Sequence, residues 1–273
     1  MRLTGPKPKT PGKKRLIRTL TLCMVFTLLS SLAFSFWFMM MRRYKGVINY
    51  EDIELVQFEE PQKGDKIAVM HTTAGDMTFK LYPEIAPKSV ANFCELAESG
   101  YYDGTYIFRV EQDVFFAGGS ADAEGNLPQG KAGTAQERVP QELSPKLWPF
   151  RGALCSLTTG TERSFFKALV GRQDVYCGSR FLVANSIEMT EEIQDGLRED
   201  ESEGAQIIAE AFIEHGGIPN YSQQITVFGQ LIEGWEILEA ITGAELVGEV
   251  DDQRPKEDII ITAVEIGTFE TAE

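Results

Sequence analysis

Twenty-three consecutive residues without a charge, Thr19 to Met41, constrain this chain more than any other feature of its sequence. As an α-helix they would be about 34 Å long, enough for the ~30 Å hydrocarbon core of a bilayer. The run is apolar on every face, which argues against a helix buried in a soluble core. The apolar stretch of a cleaved signal peptide is shorter, about 7–15 residues, and ends in small residues. Here the run ends in Phe36-Trp37-Phe38 and three methionines, and Arg42 and Arg43 follow. The reading is an uncleaved signal anchor over residues 19–41. Seven basic residues precede it, while Arg42, Arg43 and Lys45 follow it. The positive-inside rule then puts residues 1–18, a basic tail, in the cytoplasm and the C-terminal part outside the cell membrane.

Charge is divided between the two sides. The whole chain carries −15, yet residues 1–43 hold nine Lys/Arg and no acid. The remaining 17 basic and 41 acidic residues give 44–273 a net charge of −24. A domain so acidic repels polyanions, so nucleic acid is excluded as a partner. Cys23 lies in the span, and Cys94, Cys155 and Cys177 read as buried free thiols. His71 and His215, far apart and with no CxxC pair, give no basis for a metal site, and no cofactor motif is present.

Beyond the anchor, residues 42–64 are polar and acidic and read as a stalk. Short apolar runs punctuated by turns then read as strands: Lys66–Thr72, Met77–Leu81, Tyr106–Val110, Val114–Ala117, Gly152–Thr158, Phe181–Ala184, Thr226–Leu231 and Ile259–Ile266. Helical spacing marks Lys88–Ser99, with Gly100 as a C-cap, and the shorter Gly234–Ile241. Many strands with two good helices predict a mostly β fold, a closed antiparallel barrel rather than a parallel βαβ sheet.

The segment 72–110, TTAGDMTFKLYPEIAPKSVANFCELAESGYYDGTYIFRV, resembles the cyclophilin family of peptidyl-prolyl cis-trans isomerases. Thr73, Gly75, Leu81, Ala86-Pro87, Asn92-Phe93, Gly100-Tyr101-Tyr102 and Phe108-Arg109-Val110 fall in family order and spacing. So do Gly118-Gly119, Gly178-Ser179-Arg180-Phe181 and Thr226-Val227-Phe228-Gly229. The resemblance implies an eight-stranded antiparallel barrel with two capping helices over 65–268, followed by a tail at 269–273. It also implies a surface groove for X-Pro segments. The form expected is a membrane-anchored bacterial one with a divergent active site.

The chemistry the family performs has a simple physical basis. Resonance gives the X-Pro amide a torsional barrier of about 18–20 kcal/mol. Twisting removes the resonance and makes the prolyl nitrogen basic, so a guanidinium beside it forms a hydrogen bond that is strong only in the twisted state. Arg109 matches the family's catalytic arginine. By the same resemblance Val114, Phe115, Ala117, Thr158, Thr159, Arg180, Leu182, Tyr221 and Ile225 line the substrate groove. Several depart from the pattern. Ala117 stands for a Gln, Arg180 and Leu182 for the Gln and Phe of Gly-Ser-Gln-Phe-Phe, Ile225 for a His, and Phe108 for the His before the arginine. The pocket stays apolar but loses polar ligands for the substrate backbone.

Two insertions frame the groove, near 161–176 and 186–219. The first is apolar and basic, with Phe165-Phe166, Arg163, Lys167 and Arg172. The second opens with eight acids and one Arg between Glu188 and Gly204, read as a solvated loop, and continues as an amphipathic helix over Ala205–His215. The expected function is a weakly active isomerase that helps proline-containing exported proteins to fold outside the membrane. The alternative is a catalytically degenerate module of the same fold that binds such segments as chaperone or scaffold.

Overall fold

The computed structural model describes residues 12, 21–35, 50–126, 139–162, 174–249 and 253–270. The chain divides into two compact units, Met1–Val47 with Ser164–Arg172, and the remainder from Ile48. In the first unit residues 21–35 form an exposed helix, about 22 Å long. The ends of the expected span, 19–20 and 36–41, lie outside the described residues. Among the described residues no helix is long and apolar enough to cross a membrane. Most of the first insertion, 163–173, also lies outside them.

The second unit is a barrel. Its strands are β1 Lys66–Thr72, β2 Gly75–Leu81, β3 Thr105–Glu111, β4 Phe115–Ser120, β5 Val139–Pro140, β6 Ala153–Glu162, β7 Asp174–Ala184, β8 Thr226–Glu233, β9 Leu246–Val247, β10 Arg254–Pro255 and β11 Ile260–Thr268. Eight of them run β4-β3-β11-β1-β2-β8-β6-β7, and β7 pairs back onto β4, so the ring closes. Every pairing is antiparallel. β5 adds to β7, and β9 and β10 form a separate pair. Period-2 alternation explains the closure: Ala68, Met70, Met77, Phe79, Ile107, Phe116, Phe181 and Phe228 all point into one buried core.

Two helices cap that core. Helix α1, Pro87–Glu98, contributes Val90, Phe93, Leu96 and Ala97. Helix α4, Trp235–Thr242, contributes Leu238 and Ile241. Ala86 at the start of α1 offers no cap. Glu142, more than fifty residues away, accepts hydrogen bonds there from Ser89 N (2.9 Å), Lys88 N (3.2 Å) and Ser89 Oγ (3.0 Å). A carboxylate at this end also suits the helix dipole.

At the barrel's start Asp65 pairs with Lys80 at 2.7 Å, and the lysine is almost fully buried. Partial burial pushes the Asp65 carboxyl up. Hydrogen bonds from Lys80 and the Gln62 amide outweigh it and hold the carboxyl below its usual range. A depressed acid stabilises the fold above its unfolded pKa, near ~4, and loses that contribution as pH falls through the folded value. Melting temperature should therefore drop between about pH 5 and pH 2. Asp65→Asn should flatten part of that slope and cost about 2 kcal/mol at pH 7, because Lys80 loses its counter-charge. Identical pH profiles for the two proteins would show that the pair carries no stability.

Outside the barrel sits a third cluster of Trp148, Phe150, Ile208, Ala211 and Phe212. The last three come from α3, Glu203–His215, close to the helix expected there. Two expectations change at this cluster. Residues 50–58, read as part of a stalk, are docked: Tyr50, Ile53, Leu55 and Phe58 pack on it. Tyr50 stacks on Trp148 at 5.9 Å and Phe58 lies 4.8 Å from Phe150. Gln57 is buried between them, donating to Trp148 O and accepting from Trp148 N. The acidic stretch read as a solvated loop contains a further helix, α2, Glu191–Leu197. Thr190 caps it by accepting from Ile193 N, Glu191 and Glu192 face its positive end, and Met189 and Leu197 pack against the cluster. The acids are solvated while the few apolar residues are not.

Candidate active site

One transverse row of side chains organises the outer face of the barrel. Arg109 on β3 pairs with Ala117 on β4, Ala117 with Leu182 on β7, Leu182 with Cys155 on β6, and Cys155 with Val227 on β8. Partners across a sheet share a face, so all five point away from the core. Below and beside this row lies a second apolar cluster, with Phe115, Ala153, Cys155, Leu182, Ala184, Ile218 and Val227 buried. Val114, Leu157, Tyr221 and Ile225 are partly buried against it. A floor of this kind requires β4 and β6 to be apolar on both faces, as Phe115-Phe116-Ala117 and Ala153-Leu154-Cys155 are.

Arg109 reaches this face through a β-bulge. Ile107 pairs with Gly118 and Arg109 with Ala117, leaving Phe108 as an extra residue. Ile107 and Val110 both enter the barrel core, so Phe108 and Arg109 both stay outside, half-buried. The Arg109 guanidinium lies over the Phe115 ring at 5.7 Å. Tyr221 stands across from it, its ring 6.3 Å from Phe115. Burial pushes the Tyr221 hydroxyl up, the Glu111 carboxylate adds to that and Arg109 opposes it, so both charges act at the mouth of the groove.

The β3–β4 turn that presents Val114 and Phe115 is pinned. Asp113, at φ 61°, donates its N–H to Thr242 O at the end of α4, and Asn185 N donates to Val114 O at 2.7 Å. Gly118 and Gly119 follow because nothing larger fits: a Cβ on Gly118 would lie 2.9 Å from Phe181, and Gly119 has φ +84° with Ser179 O 3.0 Å from any Cβ.

The structure thus gathers Arg109, Val114, Phe115, Ala117, Leu182, Tyr221 and Ile225 around one apolar floor. Arg180 lies at the edge, one row from Leu182 on the same face of β7, its guanidinium 5.7 Å over the Phe108 ring. Thr158 and Thr159 are set apart, further along the β6–β7 hairpin. Thr158 is exposed, and the Thr159 hydroxyl donates to Tyr176 O at 3.2 Å. Sequence reasoning missed Ala153, Cys155, Ala184 and Val227. Their signal was the alternation Ala153/Cys155/Leu157, apolar on the side not needed for the core. Burial, then the neighbouring Cys177, push the Cys155 thiol far up. A separate polar cleft of about 650 Å³ opens behind the β3–β4 turn. Its Arg151 is paired with Glu239, and Arg109 is not part of it.

Residues 67–170 and 198–266 match the family model described as cyclophilin type peptidyl-prolyl cis-trans isomerase/CLD. The unmatched stretch between them includes Arg180 and Leu182. The chain is 36% identical over 208 residues to a candidate peptidyl-prolyl cis-trans isomerase of Staphylococcus epidermidis, covering 76% of this chain and 95% of that one. A protein of the same description from Staphylococcus aureus is 36% identical over 209 residues, with the same coverage. The crystal structure of a cyclophilin type isomerase from Cryptosporidium parvum shares the fold, with TM-score 0.54 at 20% identity over 76% of this chain and 99% of that one. Its structure in the presence of the dipeptide Ala-Pro gives 0.52 at 21% identity, over 74% and 98%.

Proposed function

The chain belongs to the cyclophilin-type peptidyl-prolyl cis-trans isomerases, and from that membership we propose that it isomerises X-Pro bonds in exported proteins, weakly, from an anchor at residues 19–41 in the cell membrane. The observation that carries the reading is Arg109, turned by a bulge onto an apolar outer floor. In this reading the proline ring rests on Phe115, Leu182 and Ile225, where the low local dielectric strengthens any hydrogen bond made above it. The Arg109 guanidinium donates to the prolyl nitrogen as it becomes pyramidal, which lowers the barrier without a nucleophile or a proton shuttle. Val114, Tyr221 and Phe115 shape the walls, while Thr158 and Thr159 can meet only a longer segment.

Weak turnover follows from what the groove lacks. Ala117 and Leu182 have no side-chain donor to fix the substrate backbone, so positioning is poorer while the apolar contact remains. That same observation supports a second reading, a binding module that holds proline segments without turning them over usefully.

The anchor and the orientation are also part of the proposal. The uncharged run supports the anchor, as do two hydroxyls satisfied within the described helix, Thr27 Oγ1 to Met24 O at 2.9 Å and Ser30 Oγ to Thr27 O at 3.0 Å; the excess of basic residues before the run supports the orientation. Protease added outside intact cells should digest the domain and spare the N-terminus. Protection of the domain would reverse the orientation. For the function, the slow phase of a model protein that refolds through a trans-to-cis proline should shorten in proportion to added protein. An unchanged phase, with the protein bound to the unfolded model, would favour the second reading.

A further inference from the structure

We propose that Arg180 is a second substrate-reading guanidinium, which selects segments carrying an aspartate or glutamate within two residues of the proline. This deepens the isomerase reading and rests on it for the place of the proline. Five arginines of the domain are described. Arg151, Arg198 and Arg254 are each paired with an acid. Among the described residues Arg109 and Arg180 have no carboxylate partner, although the domain is strongly acidic. Both sit on the outer face that bears the apolar floor, so the groove has a cationic edge inside a negative field.

The geometry fixes where an acid would be read. Ala117 and Leu182 share the row of Arg109. Arg180 lies two residues before Leu182 on β7, about 7 Å along the strand, and two residues of an extended peptide span about the same distance. Arg180 is also held in place. Its Nη1 donates to Gly125 O at 2.8 Å and its guanidinium carbon lies 5.7 Å over the Phe108 ring. Among the described residues its Nε is buried and makes no hydrogen bond. A guanidinium so held gives up little entropy on pairing, and its planar fork suits a carboxylate. The other edge of the groove carries Glu111, which repels an acid placed there and confines the preference to the Arg180 side.

The test uses four peptides, Ala-Glu-Pro-Phe, Glu-Ala-Pro-Phe and their lysine counterparts, with the full chain and its Arg180→Gln and Arg180→Lys variants. Both kcat/KM and Kd are measured, so the charge preference is read whether or not turnover occurs. Wild type should prefer at least one glutamate peptide over its lysine counterpart by about 10-fold, less in high salt. Arg180→Gln should bring that ratio within about 2-fold, and Arg180→Lys should keep an intermediate preference. Thermal unfolding of each variant shows that it is folded, and Arg180→Lys keeps the test open if Arg180→Gln is not. A wild type without charge preference, or a preference that survives Arg180→Gln, overturns the proposal. Absence of turnover with the binding preference intact would count against the isomerase reading and leave this one standing.

Discussion

Replacing Arg109 with alanine should lower kcat/KM for X-Pro isomerisation by at least ~100-fold, the usual loss when one transition-state donor is removed. The guanidinium lies over Phe115 on the outer face, with no ion pair among the described residues, so its removal should leave the barrel intact. Arg109→Lys should also be poor, because a point charge cannot reproduce the planar fork. The loss should fall mainly on kcat. KM should change little, since the hydrogen bond forms only when the amide is twisted. Equal rates for wild type and Arg109→Ala would mean that this arginine is not the donor.

The largest effect on stability should come from Trp148→Ala. Trp148 is fully buried in the third cluster, stacked on Tyr50, with its Nε1 donating to Pro145 O at 2.8 Å. Its backbone holds the side chain of Gln57, which in turn meets Gln230 on β8 at 2.8 Å. Losing the indole should cost about 3–5 kcal/mol, a large share of the ~5–15 kcal/mol available to a domain. It should also free residues 50–58, seen as rapid proteolysis there at temperatures where the barrel is still folded. Urea unfolding measures the first effect and limited proteolysis the second. A cost under ~1 kcal/mol would show the cluster to be an ornament of the barrel.

What was legible in the sequence was whatever alternates or repeats locally. The hairpin Lys66–Leu81, helix α1 and helix α4 lie close to their expected places because period and punctuation agree there. The residues that the resemblance singles out include Arg109, Ala117 and Leu182, which the strand register sets in one row on the outer face. The bulge at Phe108 was not legible. It is set by the register of β3 against β4, and no residue in Phe108-Arg109-Val110 announces it. Glu142 capping α1 was equally hidden, because the two groups meet only once β5 has joined β7.

Residues 50–58 and 186–204 depart from expectation for a common reason. Both lie in stretches rich in charge, and a high charge count hides a few well-placed apolar residues. Tyr50, Ile53, Leu55 and Phe58 were such residues, as were Met189 and Leu197. Thr190 followed by Glu191 and Glu192 was also a helix-start signature within the acidic run. Charge measures what the exposed side of a segment does, and says little about the side that is buried.

Turnover of X-Pro bonds in this groove is measured most directly by exchange NMR on an Ala-Pro peptide with the full chain at catalytic concentration. Uncatalysed interconversion takes about 10–100 s, too slow for exchange between cis and trans signals. Exchange cross-peaks should grow with protein concentration, reach a rate above ~1 per second even for a weak enzyme, and vanish with Arg109→Ala. Peptide signals that shift on binding while cis and trans remain unexchanged would contradict turnover, and would leave this barrel a holder of proline segments.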